Sequence, residues 1–156
     1  MNDSNGTNDS TPSSGTRSID VARTETKKVS SDILVMINIK GRVSEPGPGV
    51  TRCGGGKDPE RFFRMLHPWS FTPESPKGLD HVMKHLREEL PKNGWKVVEY
   101  ERDTSANRNL NLTADNDKKK FSVHVTYYAK DSPPKLAVRV ISGCYQVPEG
   151  ERVDQY

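Results

Sequence analysis

Four segments in the C-terminal part of the chain alternate apolar and polar residues with a period of two, and this pattern constrains the fold most. The segments are WKVVEYE at 95–101, NRNLNLTAD at 107–115, KKFSVHVTYYAK at 119–130 and KLAVRVIS at 135–142. Such alternation predicts strands that each have one buried face and one wetter face. The connections between them are short and rich in turn-forming residues, so the strands are expected to pair as an antiparallel meander.

Two further elements precede the meander. RFFRMLHPWSF at 61–71 reads as a strand that ends at Pro68 or lies at a sheet edge, because proline cannot donate to a ladder. SPKGLDHVMKHLREELPKNG at 75–94 reads as a helix capped by Ser75, with an apolar stripe at helical spacing. The stripe consists of Leu79, Val82, Met83, Leu86 and Leu90. The order β-α-β-β-β-β predicts an α+β domain, in which an antiparallel sheet of about five strands carries one amphipathic helix on one face.

The N-terminal segment has a different composition. Residues 1–30 are rich in Ser, Thr, Asn and Asp, and all Phe, Trp and Tyr residues follow position 61. A segment so poor in apolar residues cannot offset its ordering entropy, which predicts a disordered tether over 1–30. A single domain over 31–151 and a flexible tail over 152–156 would follow. DILVMINIKGRV at 32–43 leaves open a short extra helix or strand at 32–40, with Ser31 or Asp32 as the helix cap.

The chain contains two cysteines, Cys53 and Cys144. One precedes the first predicted strand, the other follows the last, and each adjoins glycine. This placement predicts a disulfide that closes a loop of about 90 residues and stabilises the domain by roughly 4 to 5 kcal/mol on the chain-entropy model. A persistent disulfide implies an oxidising compartment, whereas two free thiols would fit the cytoplasm.

The glycine-rich stretch VTRCGGGKDPERFF at 50–63 resembles a phosphate-binding loop only superficially. That motif needs a glycine five residues before its Gly-Lys pair and a Ser or Thr after it. Here Thr51 and Asp58 occupy those positions. The glycines are expected instead to let the backbone reverse past the cysteine, because residues without Cβ tolerate such turns.

Candidate site residues are few. His81 and His85 lie four apart on the predicted helix, with Glu88 on the same face, which makes them weak candidates for a metal site. Solvated side chains on the polar face of an amphipathic helix are the alternative. His67 and Trp69 are candidates for a ligand groove, with ordinary packing on the sheet as the alternative. The sequence suggests no catalytic set and no cofactor.

Charge and hydropathy limit the expected partners. The formal net charge is +3, and the run Lys118–Lys120 lies beside Asp115 and Asp117. This arrangement predicts a solvated hairpin turn, so nucleic acid is not expected as a partner. No stretch is long and apolar enough to span a membrane, and the N-terminus has no secretion signal. A monomer is expected, attached to a membrane only through a tether that this chain does not contain.

Four segments carry a family resemblance: GRVSEPGPGVTRCGGG, HPWSF, LREELPKNGWKVV and VISGCYQVPEG, spread over residues 40–151. They resemble uncharacterised actinobacterial lipoprotein-like proteins that are tethered to the membrane. The resemblance implies a small domain with one cysteine pair, held outside the cytoplasm by a flexible Ser/Thr-rich segment. It implies no activity. This chain departs from the pattern because it has no anchor segment.

These observations predict a non-enzymatic domain of the cell surface that binds an unknown protein or envelope component. A cytoplasmic location is the alternative for the compartment. The rival functions are a metal-dependent hydrolase that uses His81 and His85, and a cytoplasmic protein that binds nucleic acid weakly.

Overall fold

A computed structural model describes residues 13–44 and 46–153. This part of the chain forms nine strands and two α-helices. In chain order they are β1 (Ser13–Thr16), α1 (Ile19–Ile37), β2 (Gly41–Val43), β3 (Gly49–Thr51), β4 (Phe62–Pro73), α2 (Leu79–Lys92), β5 (Lys96–Arg102), β6 (Leu110–Asn116), β7 (Phe121–Tyr128), β8 (Lys135–Ser142) and β9 (Cys144–Gln146).

Hydrogen-bonded pairs link the strands into one sheet in the order β1-β9-β4-β8-β7-β6-β5, in which β8 and β9 follow one another along the same side of β4. The short strands β2 and β3 also pair with β4, on the side that β8 leaves open. All pairs are antiparallel except β1 with β9, which is parallel. The α+β class is therefore confirmed. The prediction of about five antiparallel strands is wrong, because four short strands extend the sheet and make it mixed.

The five long strands match the sequence pattern, and β4 continues through Pro68 to Pro73. The strand continues through Pro68 because the nitrogen of this residue points to the β2 side of β4, where no ladder bond is lost. Alternate backbone N–H groups of a strand point to the same side, and the Ser70 N–H donates to Ser44 Oγ, on the β2 side (2.8 Å). On that side β3 pairs with residues 64–66 and β2 with residues 71–73. The missing N–H of Pro68 thus falls in the gap between two short strands and removes no ladder bond.

Helix α1 is the main element that the sequence pattern did not reveal. Ser18 caps it by accepting a hydrogen bond from the Val21 N–H (3.1 Å), and Asn38 ends it in the left-handed conformation. Its buried residues repeat at helical spacing: Ile19, Ala22, Thr26, Val29, Ser30, Ile33, Met36 and Ile37. The two hydroxyls in this stripe have partners. Thr26 donates to the Ala22 carbonyl (2.7 Å), and Ser30 bonds a histidine on the sheet.

The prediction of a disordered tether over residues 1–30 is therefore wrong from Ser13 onwards, and residues 1–12 lie outside the described part. Ser31 and Asp32 lie inside α1 and do not cap a separate element. The domain begins before residue 31 because eight α1 side chains are buried. At the other end, the Val153 N–H donates to the Glu60 carbonyl (2.8 Å), so the predicted tail is bonded to the domain at Val153. Residues 154–156 are not described.

Both helices cover the same face of the sheet. The core consists of apolar residues of α1 and α2 packed on alternate residues of β4, β6, β7 and β8. A smaller cluster around Phe63, Met65 and Tyr145 packs against the first turn of α1. Tyr127 Oη donates to Asp80 Oδ1 (2.8 Å), and burial together with this bond raises the pKa of Tyr127 to about 12. The opposite face of the sheet carries no helix in the described part of the chain.

Helix α2 follows the predicted pattern closely. A 3₁₀ turn at Pro76–Gly78 leads into it, and Ser75 makes no side-chain capping bond there. Pro91 lies within its last turn, and Gly94 follows the helix with a φ of +89°. Among the described residues, no helix is both long and apolar enough to cross a membrane.

The predicted disulfide between Cys53 and Cys144 is confirmed. The two Cα atoms are 5.6 Å apart, and the bond spans 91 residues. Both cysteines are buried. Gly54, Gly55 and Gly56 all have positive φ (76°, 65° and 84°), so the backbone does reverse directly after the cysteine.

The packing of α1 generates a stability prediction. Ile33→Ala should lower the free energy of unfolding by about 2 to 5 kcal/mol, because a fully buried side chain leaves a cavity. Val35→Ala, two residues along the same helix, should change it by less than about 0.5 kcal/mol, because Val35 is 74% exposed. Urea unfolding of both variants measures the difference. Equal small effects would show that α1 does not belong to the cooperative core.

Candidate functional site

His67 and Trp69 occupy alternate positions of β4 and therefore point to the same face of the sheet, the face that α1 covers. Trp69 is buried, with 5% of its surface exposed, and His67 is partly buried. Their ring centroids are 6.3 Å apart. His67 Nδ1 lies 2.7 Å from Ser30 Oγ, so the histidine is fixed against α1.

The two rings form one wall of a cavity of about 300 Å³, called here the Trp69 cavity. Helix α1 contributes Lys27, Ser30, Ser31 and Leu34, and residues 43–44 and 46–48 form the opposite side. The structure thus brings the two predicted groove residues together at a cavity. The other two walls were not predicted, because residues 1–30 were expected to be disordered and residues 32–40 were left open between a helix and a strand.

Trp69 Nε1 is the most informative atom of the Trp69 cavity. It is buried and finds no acceptor among the described residues. Leaving a buried donor unpaired costs about 1 to 3 kcal/mol, so native folds rarely do it. Arg64 Nε is the other such atom among the described residues. However, a guanidinium has four more N–H groups, and Arg64 is partly exposed, whereas an indole has a single donor.

The helix histidines, His81 and His85, do not line the Trp69 cavity. His81 is exposed, while His85 is partly buried and lines a different cavity of about 590 Å³ between the ends of α1 and α2. Asp32 and Glu89 also line that cavity. Within residues 13–44 and 46–153, no three His, Cys, Asp or Glu side chains are grouped so that they could hold a metal ion.

A polar row crosses the open face of the sheet, and the sequence analysis did not identify it. The register pairs Glu99 of β5 with Thr113 of β6, Thr113 with His124 of β7, and His124 with Arg139 of β8. Thr113 Oγ1 donates to Glu99 Oε1 (2.8 Å) and lies 2.7 Å from His124 Nδ1. Because the hydroxyl gives its one proton to the carboxylate, His124 must carry a proton on Nδ1 and donate it to Thr113.

This row fixes the chemistry of His124. Burial and the positive charge of Arg139 lower the pKa of His124, and the Glu99 carboxylate opposes them only in part. The neutral imidazole therefore keeps its Nε2 lone pair at neutral pH. The only sign of this row in the sequence is that its members occupy the polar positions of the alternating strands. Its members become neighbours through the strand register, which includes an irregularity between Val97 and Glu99.

The lowered pKa of His124 predicts a pH dependence of stability. The unfolded chain binds the proton near the ordinary value of 6.5, and the folded chain binds it only at lower pH. The contribution of His124 is therefore present above about pH 6.5 and is lost as the pH falls through the interval below it. Urea unfolding between about pH 5 and 7.5 should show stability that rises with pH.

His124→Gln should flatten that rise, whereas His81→Gln should leave it unchanged, because His81 is exposed on α2. An identical slope in the wild type and His124→Gln would contradict the assignment.

Comparisons with protein-family models, with curated proteins and with solved structures find no match to this chain.

Proposed function

We propose that this chain is a non-enzymatic binding domain that acts outside the cytoplasm, as a monomer, with the Trp69 cavity as its binding site. The observation that carries the proposal is the buried indole N–H of Trp69, which has no acceptor among the described residues, on a side chain that lines a cavity. A bound ligand would supply the acceptor and remove the cost of the unpaired donor.

The Cys53–Cys144 disulfide supports the proposed location. Disulfides persist in oxidising compartments and are rare in the cytoplasm. Closing a loop of this length constrains the unfolded chain, and the chain-entropy model puts the stabilisation at about 4 to 5 kcal/mol. A small domain whose first helix buries hydroxyls among its apolar residues gains much from such a constraint.

The arrangement of the polar side chains supports a binding role over catalysis. In the row on the open face, Thr113 accepts a hydrogen bond from His124 and donates one to Glu99. An activated nucleophile needs the opposite direction, with the hydroxyl donating to the imidazole. Within the described residues, no Asp, Glu or Cys side chain groups with His81 and His85 as a third metal ligand.

The proposed location predicts the thiol state in cells. Protein harvested from its source organism into denaturant with an alkylating reagent should have neither cysteine alkylated, because both are bonded. Reduction followed by labelling with a maleimide polymer should then shift the wild-type band on a gel. Material with both thiols alkylated at harvest would place the protein in a reducing compartment and overturn the proposed location.

The proposed site predicts where small molecules bind. A fragment library screened by ¹H–¹⁵N correlation NMR should yield compounds that move the Trp69 indole signal and the amides of the cavity walls. Ser31→Tyr should abolish these shifts, because a bulky side chain on an exposed wall residue fills the cavity.

Lys28→Tyr is the matched control, since Lys28 is exposed on the same helix but does not line the cavity. If no fragment moves the Trp69 signal, or if both variants bind as the wild type does, the Trp69 cavity is not the binding site.

A further inference from the structure

We propose that the Trp69 cavity takes a small carboxylic acid with a short apolar body, whose carboxylate accepts a hydrogen bond from the Trp69 indole N–H. This inference rests on the proposed function, because it names the ligand class of the same site. Three features of the walls support it: their donors, their charge and their apolar surface.

The walls are rich in donors that lack an acceptor. Trp69 Nε1–H has none among the described residues, and an indole nitrogen can only donate. Ser44 Oγ accepts the Ser70 N–H (2.8 Å), so the hydroxyl proton of Ser44 remains to be given. A ligand that fits these groups must bring acceptor oxygens.

The charge of the described wall residues favours an anion. Lys27 is the one lysine or arginine that lines the cavity, and no Asp or Glu does so within the described residues. The neighbouring Lys28 behaves differently, because its Nζ is 2.5 Å from Asp32 Oδ1 in an ion pair. No such carboxylate partner of Lys27 occurs in the described part of the chain. A carboxylate ligand would supply one.

The remaining wall surface is apolar and small. Leu34 on α1 faces Val43, Pro46 and Pro48 across the cavity. Val43 is 41% exposed, so part of its apolar surface is open to a ligand. A volume of about 300 Å³ lies at the small end of ligand sites, so the apolar body must be short.

The donor at Trp69 is covered in this conformation, since Nε1 has almost no accessible surface. The acceptor therefore reaches it only when neighbouring wall side chains rotate. At saturation the bound acceptor should protect the Trp69 indole from hydrogen exchange.

Three probes with the same branched five-carbon skeleton test the ligand class: isovalerate, isovaleramide and isopentylamine. The readout is the indole region of the ¹H–¹⁵N spectrum, which contains two signals because the chain has two tryptophans, Trp69 and Trp95. Isovalerate should move the Trp69 signal with saturation, isovaleramide should bind more weakly, and isopentylamine should not bind. Trp95 serves as the internal control because it does not line the cavity.

Single-residue variants separate the contributions of the indole N–H and of the lysine charge to isovalerate binding. Trp69→Phe keeps an aromatic ring without the donor, and it should weaken isovalerate binding at least about tenfold, read from the amides of the walls. Lys27→Gln should weaken it about twofold to fivefold, because a surface charge is screened, and Lys28→Gln should leave it unchanged.

Each other outcome has a definite meaning. Equal binding of the acid and the amide, with no effect of Lys27→Gln, would overturn the carboxylate class and leave the cavity as a binding site. The same follows if fragments move the Trp69 signal while isovalerate does not. If neither fragments nor probes move it, the proposed function itself fails.

Discussion

The hydrogen-bond ladder of β4 is the constraint on which the rest of the structure depends. Over its twelve residues this strand pairs with β9 and β8 on one side and with β3 and β2 on the other. Pairing on both sides fixes the phase of the strand, because a slip of one residue would turn every side chain to the opposite face. The phase sends Phe63, Met65 and Trp69 towards α1. The disulfide joins the segment after β3 to the start of β9, both of which are partners of β4.

The sequence predicted the parts of this fold that have strong local patterns. The five long strands follow a period of two, and the α2 stripe contains only apolar residues, so neighbouring positions suffice to recognise them. Helix α1 has the same geometry but a weaker pattern, since Ala22, Thr26 and Ser30 occupy three of its buried positions. A buried hydroxyl is costly until it has a partner. The partner of Ser30 is His67, which lies on another element, so this compensation is not visible in the local sequence.

The candidate site was likewise predicted only where a local pattern indicates it. His67 and Trp69 were predicted as a pair because they are two residues apart in one strand. The α1 wall of the Trp69 cavity was missed together with α1. The row of Glu99, Thr113 and His124 was missed for another reason, because its members come from three strands. Their adjacency depends on the register, which an irregularity beside Glu99 shifts by one residue. A sequence pattern indicates which residues share a face of one helix or strand. Which residues of different strands become neighbours depends in addition on the register of the strand pairing.

Buried hydroxyl and amide groups on both faces of the sheet have hydrogen-bond partners, whereas the Trp69 N–H has none among the described residues, and this contrast supports the Trp69 cavity as the proposed site. On the open face, Asn111 and Thr126 are buried, yet each has a partner in the other, at 2.7 Å. Thr113 uses both its proton and its oxygen. On the helix-covered face, Thr26 and Ser30 are bonded as well. A fold that satisfies these groups so consistently has no structural need for an indole donor without an acceptor. Phenylalanine at position 69 would bury a similar ring without that cost. The presence of tryptophan there is explained if its N–H has a partner that is not part of the described chain.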